Sequence, residues 1–346
     1  MARRSEGVVI AASHPPSRTL PRRRRRATLV VGVTIAIAVL AAIAGLTTGS
    51  FDTSLSDVAS ALMGTADGRT TVVVMGMRVP RMLAALAIGA ALGLAGAVFQ
   101  TLARNPLASP DIIGFSAGSA TGALVGLTLI APTASPAAGA WIGGILTVVV
   151  VMAIARSVGV SRERTILAGI ALSTLLAAVN DYLLTRAPIE IARNADQWLH
   201  GSLVATTLTD VALLVGALGV LGLVLVLVHR DFRTLELGDD TARSLGVRIG
   251  RLRLLLVVVA ALLTGTATAV AGPIGFIALA APQLARRTMG TSGIPLWGSA
   301  VTGGTVLLVA DVIAQRALAP LQIPVGLLTA VVGGAYLFWI VARTRR

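Results

Sequence analysis

The sequence predicts an all-α polytopic membrane protein with about ten membrane-spanning helices, and three observations carry that expectation. First, 55% of the 346 residues are hydrophobic and only 13% charged, whereas a soluble domain needs about a quarter charged to solvate its surface. Second, the apolar residues fall in repeated blocks of about 20, the length a helix needs to cross roughly 30 Å of hydrocarbon. A membrane barrel would instead show alternating segments of about ten residues, and the sequence has none. Third, the basic residues are partitioned between alternate connecting segments, as an even number of spans requires.

Taken in chain order, residues 1–26 hold eight arginines, including the run Arg22 to Arg26, and no apolar block. They read as a basic, disordered cytoplasmic tail that touches anionic lipid. Residues 27–346 read as one transmembrane domain. Its first span, 27–47, is long and no small-residue cleavage site follows it, so it reads as an uncleaved span. The others are 82–102, 113–131, 139–155, 165–185, 207–228, 254–272, 274–288, 296–315 and 324–341. The eighth is short and interrupted by glycine and proline. With both termini cytoplasmic, 23 of the 29 basic residues lie on inner segments. Only Arg69, Arg78, Arg81, Arg186, Arg193 and Arg316 lie outside. That is a strong positive-inside pattern, and an odd number of spans would scramble it.

Two short matches suggest an internal repeat. Span 2 is followed by Asn105-Pro106-Leu107 and then Ile113-Gly114-Phe115; span 7 is followed by Gly272-Pro273-Ile274-Gly275-Phe276. The two spans run in opposite directions, so spans 2–5 and 7–10 read as two inverted-repeat halves, which in transporters enclose a path. Small residues crowd span 2, as in Gly89-Ala90-Ala91-Leu92-Gly93-Leu94-Ala95-Gly96. Lipid gives helices no hydrophobic drive to associate, so close approach at small residues supplies packing. Span 2 has them on more than one face and is expected to be surrounded by other helices.

Composition also excludes functions. There is no cysteine, hence no thiolate site. There is no lysine either: all 29 basic residues are arginine. A Walker A loop needs its lysine to reach the nucleotide phosphates, so this chain holds no P-loop. The net charge of +14 reads as positive-inside bias rather than nucleic-acid binding. No metal-ligand spacing or nucleophile–base pair is present, so catalysis on this chain is not expected.

Three constellations remain. Arg78-Val79-Pro80-Arg81 stands at the outer end of span 2, against the charge bias; it reads equally as a lipid-anchoring pair or as docking for an acidic partner. The inner loop Leu237-Gly238-Asp239-Asp240-Thr241-Ala242-Arg243-Ser244-Leu245-Gly246-Val247, within about 229–253, has a helix N-terminus at Asp239 to Thr241 and a C-cap at Gly246. It reads as a short docking helix with Ala242, Leu245 and Val247 on one side. Third come the polar residues inside spans: Gln100, Asn180, Asp181 and Asp311. Intramembrane ionisable groups are functional candidates by default, but Asp311 has Arg316 five residues on and reads as locally paired. The absence of a chain of such carboxylates argues against an ion-driven carrier.

On these residues the sequence resembles the FecCD-type permease family, importers of ferric siderophores, haem and cobalamin. The resemblance runs from about residue 30 to the C-terminus. It includes Arg78-Val79-Pro80-Arg81, Gln100 with Arg104-Asn105-Pro106-Leu107-Ala108, Ile113-Gly114 and Leu167 to Leu172. It continues through Trp198-Leu199-His200-Gly201-Ser202-Leu203, Gly238 to Val247, Gly272 to Ile277 and Ile323-Pro324-Val325-Gly326. It implies a type II ABC importer permease in a bacterial plasma membrane, paired with a second permease subunit so that the path lies at the dimer interface. Two ATP-binding subunits would carry ATP and magnesium, this chain binding no cofactor, and an extracytoplasmic substrate-binding protein would dock outside. The resemblance gives Arg78 and Arg81 to that docking, with Arg316 as a further outer charge. It gives Leu237 to Val247 to ATPase coupling. Gln100, Asn105, Pro106, Gly272, Pro273 and Asp311 stand as polar or structural positions near the path. The sequence departs from the family at Gln315 and Gln322, where arginine and glutamate are common, at Pro282-Gln283 for a Pro-His pair, and at Gly333-Gly334-Ala335. Iron–siderophore chelate is the expected cargo. Haem or cobalamin is the alternative, and an inverted-repeat secondary transporter is the reading from another class. A neighbouring ATPase gene would separate the last from the others.

Overall fold

The computed structural model describes residues 19–49, 51, 53–130, 136–157, 162–318 and 322–344, which are helical with no strand. The helices are α1 (Thr19–Thr47), α2 (Leu55–Leu62), α3 (Gly68–Thr71), α4 (Val79–Ala103), α5 (Phe115–Val125), α6 (Pro136–Ser157), α7 (Arg162–Arg186) and α8 (Ile189–Leu199). They continue with α9 (Leu208–Leu227), α10 (His229–Leu235), α11 (Asp239–Ser244), α12 (Ile249–Ala271), α13 (Ile277–Met289), α14 (Leu296–Arg316) and α15 (Val325–Thr344). A π-helical segment, Val72–Arg78, joins α3 to α4 without a break.

Ten of these helices overlap the ten apolar segments of the sequence. Six are long and apolar enough to cross a membrane: Arg25–Thr47, Gly68–Ala103, Leu167–Arg186, Leu208–Leu227, Ile249–Ala271 and Leu296–Arg316. Phe115–Ile130, Pro136–Val151 and Val325–Ala335 are apolar but shorter. The chain is therefore a multi-pass membrane protein. The expected tail boundary at 26 is corrected: α1 already begins at Thr19, so Arg22 to Arg26 form its first turns. Arginine is a good helix former, and nothing between Thr19 and Thr47 breaks the helix. Residues 1–18 of that tail lie outside the described residues.

The core forms where glycine lets backbones meet. A Cβ at Gly89 would lie 2.3 Å from the Gly303 carbonyl oxygen, at Gly93 2.2 Å from that of Ser299, and at Gly96 1.7 Å from that of Ala278. This stripe seats α4 directly on α14 and α13. Gly118 and Gly122 of α5 meet Gly139 and Gly143 of α6 in the same way. The packing is exchanged between the halves of the chain: α4 lies against α13 and α14, and α12 against α5 and α6.

Candidate functional site

Pro282 lies inside α13 and has no N–H to donate to the carbonyl one turn back, at Ala278. In a membrane a freed carbonyl must find another partner. Gln100, 1% exposed in the last turn of α4, reaches across to this stretch of α13. Its Nε2 donates to the Leu279 oxygen at 2.9 Å and more weakly to that of Ala278 at 3.5 Å. Its Oε1 accepts from Gln283 Nε2 at 2.6 Å. Gln100 is thus a structural bridge between α4 and α13, and Gln283, one of the departures from the family pattern, completes it.

At its C-terminal end, α4 closes on Arg104 in the left-handed conformation, φ 48°. Asn105 then forms an Asx turn, its Oδ1 accepting from the Leu107 amide at 2.9 Å, and Pro106 keeps the chain from continuing as helix. Gly238, φ 114°, sets the entry to α11. Asp239 at its first turn accepts from Arg104 Nη2 at 2.7 Å and from Arg253 Nη2 at 2.8 Å. Asp240 pairs with Arg243 at 3.0 Å, and Gly246, φ 85°, ends the turn. The expected short helix is present, with its apolar side corrected. Ala242 is fully buried in the chain's own core and Val247 packs against it. Leu237 and Leu245 are the apolar side chains left outside, 66% and 61% exposed. Spacing places Ala242 and Leu245 on one face; the turn at Gly246 and the floor beneath α11 separate them.

Near the N-terminal end of α4, the three arginines that the resemblance gives to docking all reach into the chain. Arg78 donates to the Leu46 and Phe51 carbonyl oxygens and to Thr53 Oγ1. Arg316 donates to the Ala44 oxygen and Thr48 Oγ1. Both therefore cap the carbonyl end of α1, where a cation is favoured. Arg81 forms a two-pronged pair with Asp311, Nε to Oδ2 and Nη2 to Oδ1 both at 2.9 Å, with side chains 12% and 2% exposed. Arg81 is thus held within the bundle, and the local pairing expected of Asp311 with Arg316 is corrected. Asp311 finds its cation 230 positions away on α4, because α4 and α14 touch along their glycines. Gln315 Nε2 donates to Asp311 at 2.8 Å and Gln322 Oε1 accepts from Arg81 at 3.0 Å. Two further departures from the family pattern thus meet on one buried ion pair. Asn180 is buried and donates to Ala117 O at 3.5 Å, while Asp181 is exposed.

A third junction was not expected. Gly201, Gly272 and Gly326 bring three separate stretches into backbone contact. Cβ atoms there would lie 2.6 Å from Pro273 O, 1.9 Å from Trp198 O and 2.2 Å from His200 O. Ser202 N donates to Ala271 O at 2.7 Å and Gly326 N to Gly201 O at 3.1 Å. Gly272 has φ 73° and Phe276 φ 69°, so the non-helical 272–276 segment separates α12 from α13 and delays the start of α13, the short eighth span, to Ile277.

The FecCD transport family model matches residues 36–343. The chain belongs to the FecCD transport family. It is 42% identical to the ferric enterobactin transport system permease protein FepG of Escherichia coli, over 93% of this chain and 98% of that one. It is 36% identical to the hemin transport system permease protein HmuU of Yersinia pestis, over 78% and 83%. Among solved structures it is similar to a metal-chelate type ABC transporter in an inward-facing conformation, with TM-score 0.78 and 26% identity over 92% of this chain and 99% of that one. A PsaBC structure from Streptococcus pneumoniae shares the fold, with TM-score 0.58 at 16% identity, over 82% of this chain and 94% of that one. This family member is a transport permease of the ABC type.

Proposed function

We propose that the chain is the membrane-spanning permease subunit of a bacterial ABC importer for iron–siderophore-type chelates, crossing the plasma membrane ten times with both termini cytoplasmic. The observation that carries this reading is the 42% identity to a ferric enterobactin permease over nearly the full length of both chains. The exchanged packing of α4 and α12 supports two inverted-repeat halves. The path would lie against a second permease subunit. ATP hydrolysis, with its magnesium, would belong to two separate ATP-binding subunits, since this chain has no lysine for a phosphate loop. This chain would be non-catalytic and bind no cofactor or nucleic acid.

In this reading α11 presses on an ATP-binding subunit through exposed Leu237 and Leu245, while its buried face and Asp239 fix it to the membrane helices. Segment 229–253 is the coupling element. On the other side an acidic substrate-binding protein would meet the rim that carries Arg78 and Arg316, with Arg81 held behind it by Asp311. Gly272, Pro273 and the junction at Gly201 and Gly326 would shape the outer end of the path, and Asn105 and Pro106 the inner turn.

The deciding experiment is uptake in a strain lacking this gene, across ferric siderophores, haem and cobalamin. Restoration of siderophore uptake alone is the expected result. Restoration of haem or cobalamin uptake instead would move the cargo class, and uptake that persists without any ATP-binding subunit would overturn the ABC reading.

A further inference from the structure

An open apolar groove of about 730 Å³ runs between α1 and α15, floored by α13 and α14. Its walls are aliphatic, among them Val33 and Ile37 on α1 and Val332 on α15, all more than 40% exposed. Leu29 and Val30 of α1 and Leu284 and Thr288 of α13 mark one end. Arg25 and Arg26 stand one helical turn beyond Leu29 and Val30, and Arg286 and Arg287 occupy the last turn of α13. Arg26 is laid across that helix end, its Nε donating to the Thr288 oxygen at 2.9 Å and Nη2 to the Arg287 oxygen at 3.4 Å. None of these four arginines has a carboxylate partner among the described residues, and Arg25, Arg26 and Arg287 are exposed. The nearby Glu236 is already taken by Arg233 and the Ile294 amide.

A groove that is apolar along its length and cationic at one mouth matches one class of molecule. Two acyl chains would cover the aliphatic walls, and a phosphate would answer the unpaired guanidinium groups, which bind it in bidentate fashion. Basic pockets between helices on the cytoplasmic side are suited to anionic head groups. We propose that this groove is a specific site for an anionic phospholipid of the cytoplasmic leaflet, of the phosphatidylglycerol or cardiolipin type. The side assignment rests on the orientation given under Proposed function; the lipid class rests on the groove and its arginines. The bound lipid would complete the packing of α1 and α15, each of which lies against α14.

The test is native mass spectrometry of the purified full chain exchanged into mixed phosphatidylglycerol, cardiolipin and phosphatidylethanolamine. Wild type should retain anionic lipid selectively. Arg25→Gln with Arg287→Gln, which spares the Arg26 clasp, should lower anionic-lipid retention about thirtyfold, the effect of losing two near-surface cations. Val33→Trp, which fills the groove, should lose bound lipid of either head group with its melting temperature held. Equal lipid retention by all three proteins would reduce the finding to an annular lipid shell and overturn the site. A Val33→Cys disulfide to a second permease copy, clean to read in a cysteine-free chain, would assign the groove to subunit contact and overturn it too. Chelate uptake is scored separately, so failed transport by the wild type counts against the transport reading and leaves the lipid result standing.

Discussion

Helices α1 and α4 are both long enough and apolar enough to span a bilayer, yet 78% of the most apolar window of the α4 segment is buried against other helices and only 6% of that of α1. Hydropathy does not separate them; the more apolar helix is the peripheral one. Side-chain size does. α4 presents Gly89, Gly93 and Gly96 where carbonyl groups of α14 and α13 press in, whereas a Cβ at Gly32 of α1 would meet nothing within 4 Å. Apolarity decides that a helix enters the membrane, and small residues decide whether it occupies the centre of the bundle.

That contrast can be broken by substitution. The largest effect is expected from Gly96→Leu, whose Cβ would lie 1.7 Å from Ala278 O. Backbone cannot yield as a flexible side chain can, so size-exclusion chromatography should show loss of monodisperse permease. Asp311→Ala comes next. Removing one partner of a buried ion pair costs about 3–5 kcal/mol, read as a large drop in melting temperature in detergent. The exchange Arg81→Asp with Asp311→Arg should recover much of it if the pair is structural. Recovery of stability without recovery of binding-protein-stimulated ATPase in the assembled complex would show that Arg81 also has an outside partner. Gln100→Leu should cost about 1–3 kcal/mol by leaving the buried Gln283 side-chain amide without its acceptor and the Ala278 carbonyl freed by Pro282 unanswered. The smallest effect is expected from Gly32→Leu on α1, within about 0.5 kcal/mol of wild type. A shift as large as that of Gly96→Leu would mean that α1 is covered as α4 is, and the contrast would fail.

Much of the fold was legible because single-helix properties are written locally. The ten apolar segments coincide with ten helices, and the α11 N-terminus and the Gly246 cap fell where their residue types placed them. The N-terminal extension of α4 to Gly68 was missed because Arg69 and Arg78 interrupt its hydrophobic run, although helix geometry continues through a π segment. The start of α13 was placed three residues early, since neither the left-handed Gly272 nor Phe276 declares its φ in sequence. Helix α8 was missed altogether; Ile189 and Ala192 recur at helical spacing and were the available signal. The arginine partners were the least legible. A local rule offered Arg316 to Asp311, and the true partner depends on which helices touch, information held in glycines scattered over two halves of the chain.

Asp239 is held at once by Arg104, where α4 ends, and by Arg253, near the start of α12. Those two helices are the most deeply enclosed of the long ones. The two guanidinium groups work as a pinned joint with the carboxylate as its axle. A sideways thrust on α11 would enter the bundle at its stiffest members and could not be absorbed by a loosely seated helix such as α1. The first turn of a six-residue helix thus grips the two most enclosed long helices together.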